Sequence, residues 1–235
     1  MNTVLIFAGG TGTRMKNPAV PKQFMEVNGK PIIIHTILNF ERHDEIDAIA
    51  VVCIENWIDE LKKLIKKENI SKVRWIAEGA QTGQQSIYNG LKAIYDEVNE
   101  PEKTIVLISD GVRPIVSQKI ISDNIECVKR NGSSATVHPV PETILELDSQ
   151  GLVTNIPVRK HCFLSKAPQG FYLSQIMEAH KKAIAENCFD CTNSVELMRR
   201  YGHSIYTVPD TDDNIKITTP VDMLLYKAII EEKKN

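Results

Sequence analysis

The sequence predicts an α/β protein built on a single doubly wound, mostly parallel β-sheet. Short apolar segments alternate with amphipathic helical segments along much of the chain, which is the pattern of repeated βαβ units. The predicted strands are apolar at nearly every position, as expected for a sheet that carries helices on both faces. The first strand ends in a Gly-rich loop. We expect one domain over residues 1–235, because this length suits one large domain.

Each predicted element follows from a local pattern. Residues 4–7 form an apolar run that Gly9 and Gly10 stop, which is typical of a buried strand that enters a loop. Pro31 favours a helix start, and the apolar spacing through 31–40 continues that helix. The same reasoning predicts further strands at 46–54, 73–77, 104–108 and 135–138, and helices at 57–67, 84–98 and 117–130. The C-terminal part is predicted to contain helices at 173–186 and 193–201, strands at 204–208 and 214–217, and a last helix from Pro220.

The alternation changes near residues 139–160, where the pattern predicts a protruding β-hairpin arm. Two short strands, at 143–147 and 152–156, flank a turn with the sequence Asp-Ser-Gln-Gly at 148–151. A two-stranded ribbon is only marginally stable by itself in water. We therefore expect the arm to lie against another surface, and a partner subunit is one candidate.

Charge and hydropathy exclude several classes of partner. Lysine and arginine number 28 against 30 aspartate and glutamate, so no strong basic field is available for nucleic acid or an anionic membrane. The N-terminus has neither a basic segment nor an apolar run long enough for a signal peptide, and no later run is long enough to span a bilayer. We expect a cytoplasmic protein with no nucleic-acid partner and no membrane partner.

The five cysteines are an odd number in a chain without an export signal, which favours reduced thiols. Cys188 and Cys191 have the C-x-x-C spacing of some redox and zinc sites. A zinc site would need a second such pair, and a thioredoxin-like site would lie near the first βαβ unit. A structural role is therefore the favoured interpretation of this pair.

The Gly-rich loop after the first strand is a candidate phosphate site. Its segment 10–15 lacks the third glycine of a dinucleotide fingerprint, and it also lacks the G-K-[ST] ending of a P-loop. Successive backbone N–H groups, together with Arg14 and Lys22, would suit a triphosphate. A plain strand-to-helix turn with two surface cations remains the alternative.

Five motifs follow one another along the chain. They are Ala8-Gly9-Gly10-x-Gly12-x-Arg14-Met15 with Pro21-Lys22-Gln23-Phe24, Asp110-x-x-Arg113-Pro114, Glu142-Thr143 with Arg159, Pro168-Gln169-x-Phe171, and Asn214-Ile215-Lys216-Ile217-Thr218. The series resembles the 2-C-methyl-D-erythritol 4-phosphate and ribitol 5-phosphate cytidylyltransferases, which belong to the sugar-nucleotidyltransferase superfamily. The resemblance covers nearly the whole chain. It implies a Rossmann-like nucleotidyltransferase whose substrates are CTP and a polyol phosphate.

The implied reaction needs positive charge more than it needs a base. A phosphate monoester has a second pKa of about 6, so the attacking group is already largely ionised near neutral pH. Arg14, Lys22 and Lys216 are the candidates for stabilising the charge that develops at phosphorus, with Mg²⁺ bridging the phosphates. The loop and the resemblance together predict a nucleotide site formed by Ala8, Gly9, Gly10, Thr11, Gly12, Gly79, Ala80, Gln81 and Ser86.

Asp110 is the main candidate for metal and acceptor binding. It follows a buried strand, which places it at the carboxyl edge of the sheet, where a carboxylate is a natural Mg²⁺ ligand. A helix or turn cap is the alternative role for Asp110, and Asp213 is either a second ligand or a turn residue. The resemblance implies that Asp110, Arg113, Thr143 and Arg159 bind the acceptor. It also implies a homodimer in which Thr143 and Arg159 reach the acceptor phosphate of the partner.

The chain departs from the family pattern at two positions. Gly83 stands where the family usually has an arginine, and Ser109 stands where a histidine commonly precedes the aspartate. Ala80 and Ser86 remain small enough for a close-fitting pyrimidine pocket.

The sequence also ranks the functional hypotheses. Residues 7–10 and 30–36 resemble the ribitol-phosphate branch more closely, so D-ribitol 5-phosphate is the preferred acceptor and 2-C-methyl-D-erythritol 4-phosphate the alternative. A dinucleotide-dependent oxidoreductase and a non-catalytic nucleotide-binding domain are the remaining alternatives.

Overall fold

The fold is organised around a seven-stranded sheet, in a computed structural model that describes residues 1–10 and 20–233. The strands are β1 (Asn2–Ala8), β2 (Glu26–Val27), β3 (Lys30–Pro31), β4 (Ala48–Cys53), β5 (Val73–Glu78), β6 (Ile105–Asp110), β7 (Ser133–Pro139), β8 (Glu146–Leu147), β9 (Val153–Asn155), β10 (Phe163–Tyr172) and β11 (Thr207–Pro209). The α-helices are α1 (Ile32–Glu41), α2 (Ile58–Lys67), α3 (Gly83–Tyr95), α4 (Gln118–Asn131), α5 (Leu173–Ala185), α6 (Ser194–Arg200) and α7 (Pro220–Glu232). Short 3₁₀ helices occupy Lys22–Phe24, Glu55–Trp57 and Arg159–His161.

The large sheet has the strand order β11-β7-β10-β6-β1-β4-β5. Strand β1 is parallel to both of its neighbours, β4 and β6, and the pairs β4–β5 and β7–β11 are also parallel. Strand β10 runs antiparallel to β6 and to β7. The predicted α/β class with a mostly parallel sheet is therefore confirmed.

Helices cover both faces of this sheet. Successive residues of a strand point to opposite faces, so Val4 and Ile6 of β1 pack with α1, α2 and α4, while Leu5 packs with α3, α5 and α6. All three side chains are fully buried. The two-sided burial explains why the central strands are apolar at nearly every position. Among the described residues, no helix is both long enough and apolar enough to cross a bilayer.

Strand β10 is the largest difference from the sequence-based prediction, which places no strand there. Its sequence contains Lys166, Pro168 and Gly170, and these residues interrupt any alternation of apolar and polar positions. The register against β7 shifts between Ser165 and Gln169, so the proline lies where the hydrogen-bond ladder is irregular. An irregular central strand of this kind carries little periodic signal.

The prediction of a strand at 214–217 is wrong. The backbone there is irregular, and Ile217 N–H donates to the carbonyl of Val112 instead of joining the sheet. The hairpin is confirmed, although β8 and β9 are shorter than the predicted strands at 143–147 and 152–156. Large apolar side chains of the arm and the segment that follows it are exposed, namely Leu145, Leu147, Leu152, Val153, Ile156, Val158, Phe163 and Leu164.

Candidate active site

A cavity of about 450 Å³ lies at the carboxyl edge of the sheet. Phe7 at the end of β1 and Asp110 at the end of β6 line it, together with Thr82 and Gly83 at the start of α3. The carboxyl ends of neighbouring parallel strands meet at one edge, so groups that are distant in sequence converge there. Further lining comes from Arg113, Lys166, Gln169, His180, Cys191 and Lys216.

A cluster of three charged side chains lies in this cavity. The Asp110 carboxylate accepts a hydrogen bond from Arg113 Nε at 2.8 Å through Oδ2, and another from Lys216 Nζ at 2.7 Å through Oδ1. The Arg113 side chain is only 7% exposed, whereas that of Lys216 is 41% exposed. One carboxylate between two cations leaves a surplus of positive charge, which suits a phosphate group. The structure thus brings together three of the predicted site residues.

The ion cluster also fixes the protonation state of Asp110. Burial raises the pKa of the Asp110 carboxyl group, but the charges of Arg113 and Lys216 and their hydrogen bonds outweigh that effect. The pKa of Asp110 therefore lies below its ordinary value. The group is a carboxylate at neutral pH.

A second ion pair, between Lys166 and Asp210, is linked to Arg113 through the carbonyl of Asn214. The carbonyl of Asn214 accepts hydrogen bonds from Arg113 Nη1 at 3.1 Å and from Lys166 Nζ at 3.2 Å. Lys166 Nζ also lies 3.0 Å from Oδ2 of Asp210, whose side chain is fully buried. Asn214 Nδ2 donates to Asp210 Oδ1 at 2.9 Å. These bonds hold Asn214 away from the sheet, which explains why the predicted strand at 214–217 does not form.

Lys166 and Asp210 are site residues that the sequence did not indicate. Lys166 belongs to β10, the strand that was not predicted, and its only signal is its position two residues before the Pro168-Gln169 motif. Thr82, in contrast, could have been found from the sequence, because Thr82 and Gln85 have the spacing of a capping box. Both hydrogen bonds of that capping box are present at the start of α3.

The Gly-rich segment after β1 meets the loop that precedes α3. A Cβ atom added at Gly79 would lie 3.2 Å from Gly9 Cα, so the two backbones approach closely only because neither residue has a side chain. Ser86 Oγ accepts a hydrogen bond from the backbone N–H of Ala80 at 2.8 Å. Gln81 is exposed beside these residues. Gly9 is therefore a neighbour in space of the predicted nucleotide residues in the loop before α3.

Gln23 anchors the start of the Gly-rich segment. Its Nε2 donates to the carbonyl of Ala8 at 2.7 Å and to that of Gly10 at 3.1 Å, and the residue is 1% exposed. Lys22, the preceding residue, begins the 3₁₀ helix and is thus held close to the same segment. The predicted residues Thr11, Gly12 and Arg14 lie outside the described part of the chain.

Of the predicted site residues that the structure describes, only Asp110, Arg113 and Lys216 line this cavity, and three acceptor and metal candidates lie elsewhere. Asp213 pairs with Lys233, and its Oδ1 accepts a hydrogen bond from Thr211 Oγ1 at 2.6 Å. Thr143 and Arg159 are exposed on the arm, and Arg159 Nη1 donates to the carbonyl of Pro141 at 3.3 Å. Within one described chain, the arm residues therefore remain apart from the cluster around Asp110.

His180 of α5 gives the cavity a neutral wall. The residue is 2% exposed, its Nε2 has no hydrogen-bond partner among the described residues, and its ring centroid lies 5.8 Å from that of Tyr88. Burial lowers the pKa of the imidazole to about 4. His180 is therefore uncharged near neutral pH, unlike Arg113, Lys166 and Lys216, which also line the cavity.

The fold and the site together define an α/β nucleotidyltransferase. The crystal structure of 4-diphosphocytidyl-2C-methyl-D-erythritol synthase from Anaerococcus prevotii superimposes with a TM-score of 0.84 and 26% sequence identity, over 98% of this chain and 96% of that one. The family model for 2-C-methyl-D-erythritol 4-phosphate cytidylyltransferase (IspD) matches residues 2–232. The chain belongs to this family.

Relatives that align with nearly the whole chain carry two names. A ribitol-5-phosphate cytidylyltransferase from Vibrio parahaemolyticus is 46% identical over all of this chain and 98% of that protein. A 2-C-methyl-D-erythritol 4-phosphate cytidylyltransferase from Clostridium botulinum is 36% identical over 98% of each chain. Both alignments span the complete site network described above.

Proposed function

We propose that the protein is a cytoplasmic cytidylyltransferase that transfers the cytidylyl group of CTP to D-ribitol 5-phosphate, releasing pyrophosphate. One observation carries the choice of acceptor: the full-length identity is 46% to a relative named for ribitol 5-phosphate, against 36% to one named for 2-C-methyl-D-erythritol 4-phosphate. The second compound is the alternative acceptor. The catalytic unit is one domain over residues 1–235, with the arm at about 139–160.

In the proposed reaction, an acceptor phosphate oxygen attacks the α-phosphorus of CTP. A bond forms between that oxygen and phosphorus, and the bond from the α-phosphorus to pyrophosphate breaks. The attacking phosphate needs no general base, because its second pKa is about 6. The site must instead align the two substrates and stabilise the negative charge that accumulates at phosphorus.

Lys216 and Arg113 are placed for different parts of that task. Lys216 is partly exposed in the cavity, and Asp110 engages one of its three N–H donors, so the ammonium group can also bond to a phosphate oxygen. Arg113 is nearly buried and bonded on two sides, which suits a fixed role in acceptor binding beside Asp110. Arg14 on the Gly-rich segment and Lys22 in the 3₁₀ helix that follows it complete the proposed set of catalytic cations.

The close loops provide the proposed nucleotide site. Ala8, Gly9 and Gly10 precede the predicted triphosphate cradle, and Gln23 fixes that segment by its two hydrogen bonds. The loop at 79–81 faces it, with Ser86 stabilising the backbone at Ala80. Gly83 removes the family's arginine from this loop, which leaves the charge stabilisation to the remaining cations.

A magnesium ion shared with the nucleotide would use the lone pairs of the Asp110 carboxylate that its hydrogen bonds to Arg113 and Lys216 leave free. Among the described residues that line the cavity, Asp110 is the only carboxylate, and Mg²⁺ commonly takes one or two protein carboxylates beside substrate phosphates and water. When bound, Mg²⁺ would neutralise phosphate charge. Asp213 bonds to Thr211 and pairs with Lys233. These contacts favour a turn role for Asp213 over a role as a second magnesium ligand.

We also propose a homodimer in which the arm completes the acceptor site of the partner. The arm exposes apolar side chains such as Leu147 and Leu152, and a monomer would leave them in water. Thr143 and Arg159 lie on the same arm, away from the Asp110 cluster of their own chain. Arginine suits a phosphate because its planar fork can donate to two oxygens at once.

The test is the mass of the product made from CTP and Mg²⁺ with each acceptor in parallel. The proposal expects CDP-ribitol and pyrophosphate, with a higher kcat/KM for D-ribitol 5-phosphate than for 2-C-methyl-D-erythritol 4-phosphate. A reversed preference would assign the alternative acceptor. Absence of pyrophosphate with either compound, in a protein that binds CTP, would support the non-catalytic alternative.

A further inference from the structure

Two thiols lie beside the cavity and outside the ion cluster. Cys188 Sγ and Cys191 Sγ are 3.9 Å apart in the segment that joins α5 to α6. Cys191 lines the cavity and is 8% exposed, whereas Cys188 is half-buried. Both are free thiols. The proposed transfer reaction uses neither sulfur.

A positively charged group already occupies the centre of this cluster. Arg200 Nη1 lies 2.8 Å from Cys188 Sγ, 3.8 Å from Cys191 Sγ and 3.1 Å from Asp190 Oδ1. The two sulfurs and the Asp190 carboxylate are close enough to hold a metal ion. However, Arg200 takes the place of that ion, and structural zinc sites use four protein ligands. The arrangement therefore favours a dithiol pair over a metal centre.

Gln84 joins the dithiol segment to the cavity. Its Nε2 donates to the carbonyl of Cys188 at 2.8 Å, and its Oε1 accepts from the backbone N–H of Cys191 at 3.2 Å. Gln84 is itself nearly buried, lines the cavity and lies in the first turn of α3, next to Gly83. A movement of the C-x-x-C backbone is thus transmitted directly to a wall of the substrate cavity.

We propose that Cys188 and Cys191 form a reversible disulfide that reshapes this wall and lowers the activity of the enzyme. The oxidant is a low-molecular-weight disulfide. The thiolate of Cys188, the more accessible of the two, attacks one sulfur of the oxidant, forms a mixed disulfide and releases the first thiolate. Cys191 then attacks Cys188 Sγ and releases the second. The protein loses two electrons and two protons, and the oxidant becomes two thiols.

The bond requires at least one of the two sulfurs to move. A disulfide holds its sulfurs about 2.0 Å apart, whereas these sulfurs are separated by 3.9 Å. We expect closing that gap to draw in the loop that carries Phe189 and Cys191, both of which line the cavity. Displacements of this size in a site that depends on alignment lower turnover strongly, so we expect a loss of at least about tenfold in kcat/KM for CTP. This activity readout rests on the proposed function.

The experiment treats the complete enzyme with oxidised glutathione at mildly alkaline pH and then with dithiothreitol. Burial and the hydrogen bonds to Asp190 and Cys191 raise the pKa of the Cys188 thiol, with Arg200 opposing the rise, so alkaline conditions supply more of the thiolate. The expected results are a loss of two hydrogen atoms by mass, a peptide linking Cys188 to Cys191, the loss of kcat/KM, and recovery on reduction.

Cys188→Ser should keep the activity of the parent and resist the oxidant. Cys162→Ser is the matched control, because Cys162 is likewise half-buried, and it should stay sensitive.

Four outcomes would overturn the proposal. These are no internal disulfide, a disulfide with unchanged CTP binding and turnover, protection by Cys162→Ser, or one tightly bound zinc ion that is lost in Cys188→Ser. The mass and peptide readouts need no substrate. An enzyme that forms the disulfide but turns over neither acceptor would therefore contradict the proposed function and not the disulfide, and CTP binding before and after oxidation would then test the coupling.

Discussion

The ion cluster at the end of β6 and the hairpin arm are built in opposite ways. Arg113 is 7% exposed and bonded to groups from two segments of the same chain. On the arm, Leu152 is 67% exposed and Val158 is 60% exposed. The first region is completed by contacts within one chain, whereas the second exposes apolar surface that only another surface could cover. The ion cluster is therefore complete within one chain, whereas the part of the site that we propose for the arm depends on the proposed dimer.

The largest expected effect concerns the ion cluster. Asp110→Asn removes the counter-charge of nearly buried Arg113, and breaking a buried ion pair costs about 3–5 kcal/mol in the free energy of unfolding. Urea unfolding at neutral pH measures this loss. Asp123→Asn is the control, because Asp123 pairs with Lys119 at the surface, where an ion pair contributes about 0–1 kcal/mol.

The same variant has a defined pH dependence. The pKa of folded Asp110 lies below the value of 3.8 that applies without its neighbours, so its stabilising effect is complete above that value. It is lost as the pH falls through the lower, folded pKa. The difference between parent and Asp110→Asn should therefore be constant from neutral pH down to mildly acidic pH and shrink only below it. A difference that disappears between pH 7 and pH 5 would contradict the assignment.

The next effect concerns turnover. Lys216→Ala should lower kcat about 10²- to 10³-fold while changing the KM for CTP far less, because we propose that the ammonium group acts on charge that develops in the transition state. Lys22→Ala should behave in the same way. Lys227→Ala, at an exposed position of α7, is the matched control and should be neutral. A variant of Lys216 that keeps kcat and loses CTP affinity would show a role in ground-state binding only.

His180 provides a smaller effect with its own pH window. Burial lowers the pKa of folded His180 from 6.5 to about 4, so the unfolded chain binds a proton that the folded chain does not. The parent should therefore lose stability as the pH falls from 6.5 toward 4, by ~2–3 kcal/mol. His180→Leu should lack this part of the pH dependence. If the free energy of unfolding changed with pH in the same way in both proteins, the imidazole of folded His180 would take up a proton at its ordinary pKa, and the prediction would be wrong.

A substitution in the arm is expected to have the smallest of these effects. It should change the dissociation constant of the dimer and leave the stability of the folded chain unchanged. Leu147→Asp places a charge on the exposed apolar surface and should raise the dimer dissociation constant ~10- to 100-fold. Gln150→Asp adds the same charge at the polar turn of the arm and serves as control. Sedimentation velocity separates the two outcomes. Equal dissociation constants for both variants would place the dimer contact elsewhere, and a parent that is monomeric would remove the arm's proposed role.

The two regions also differ in what the sequence could predict. Periodicity located the strands that carry Asp110 and Phe7, because apolar runs buried on both faces have a strong local signal. Motif spacing brought Asp110, Arg113 and Lys216 into one hypothesis, and the structure places them in contact. The resemblance was needed for that step, since no local pattern links positions 110 and 216.

The remaining parts of the site depended on tertiary contacts that have no local signature. Lys166 reaches Asp210 and Asn214 only because β10 inserts antiparallel between β6 and β7. The sequence predicts a strand at 214–217, but the hydrogen bonds of Asn214 hold that segment out of the sheet. A strand pattern was thus overridden by a buried polar network.

The most direct test of the two-part site is activity in mixed dimers. Chains with Arg159→Ala and chains with Lys216→Ala are coexpressed with different affinity tags, and the heterodimer is isolated through both tags. If the arm completes the partner's site, one of the two sites in each heterodimer receives an intact Lys216 and an intact Arg159, so about half of the parent activity returns although each variant alone is nearly inactive. Heterodimers as inactive as each variant alone would show that each site is built within one chain and would contradict the shared-site account.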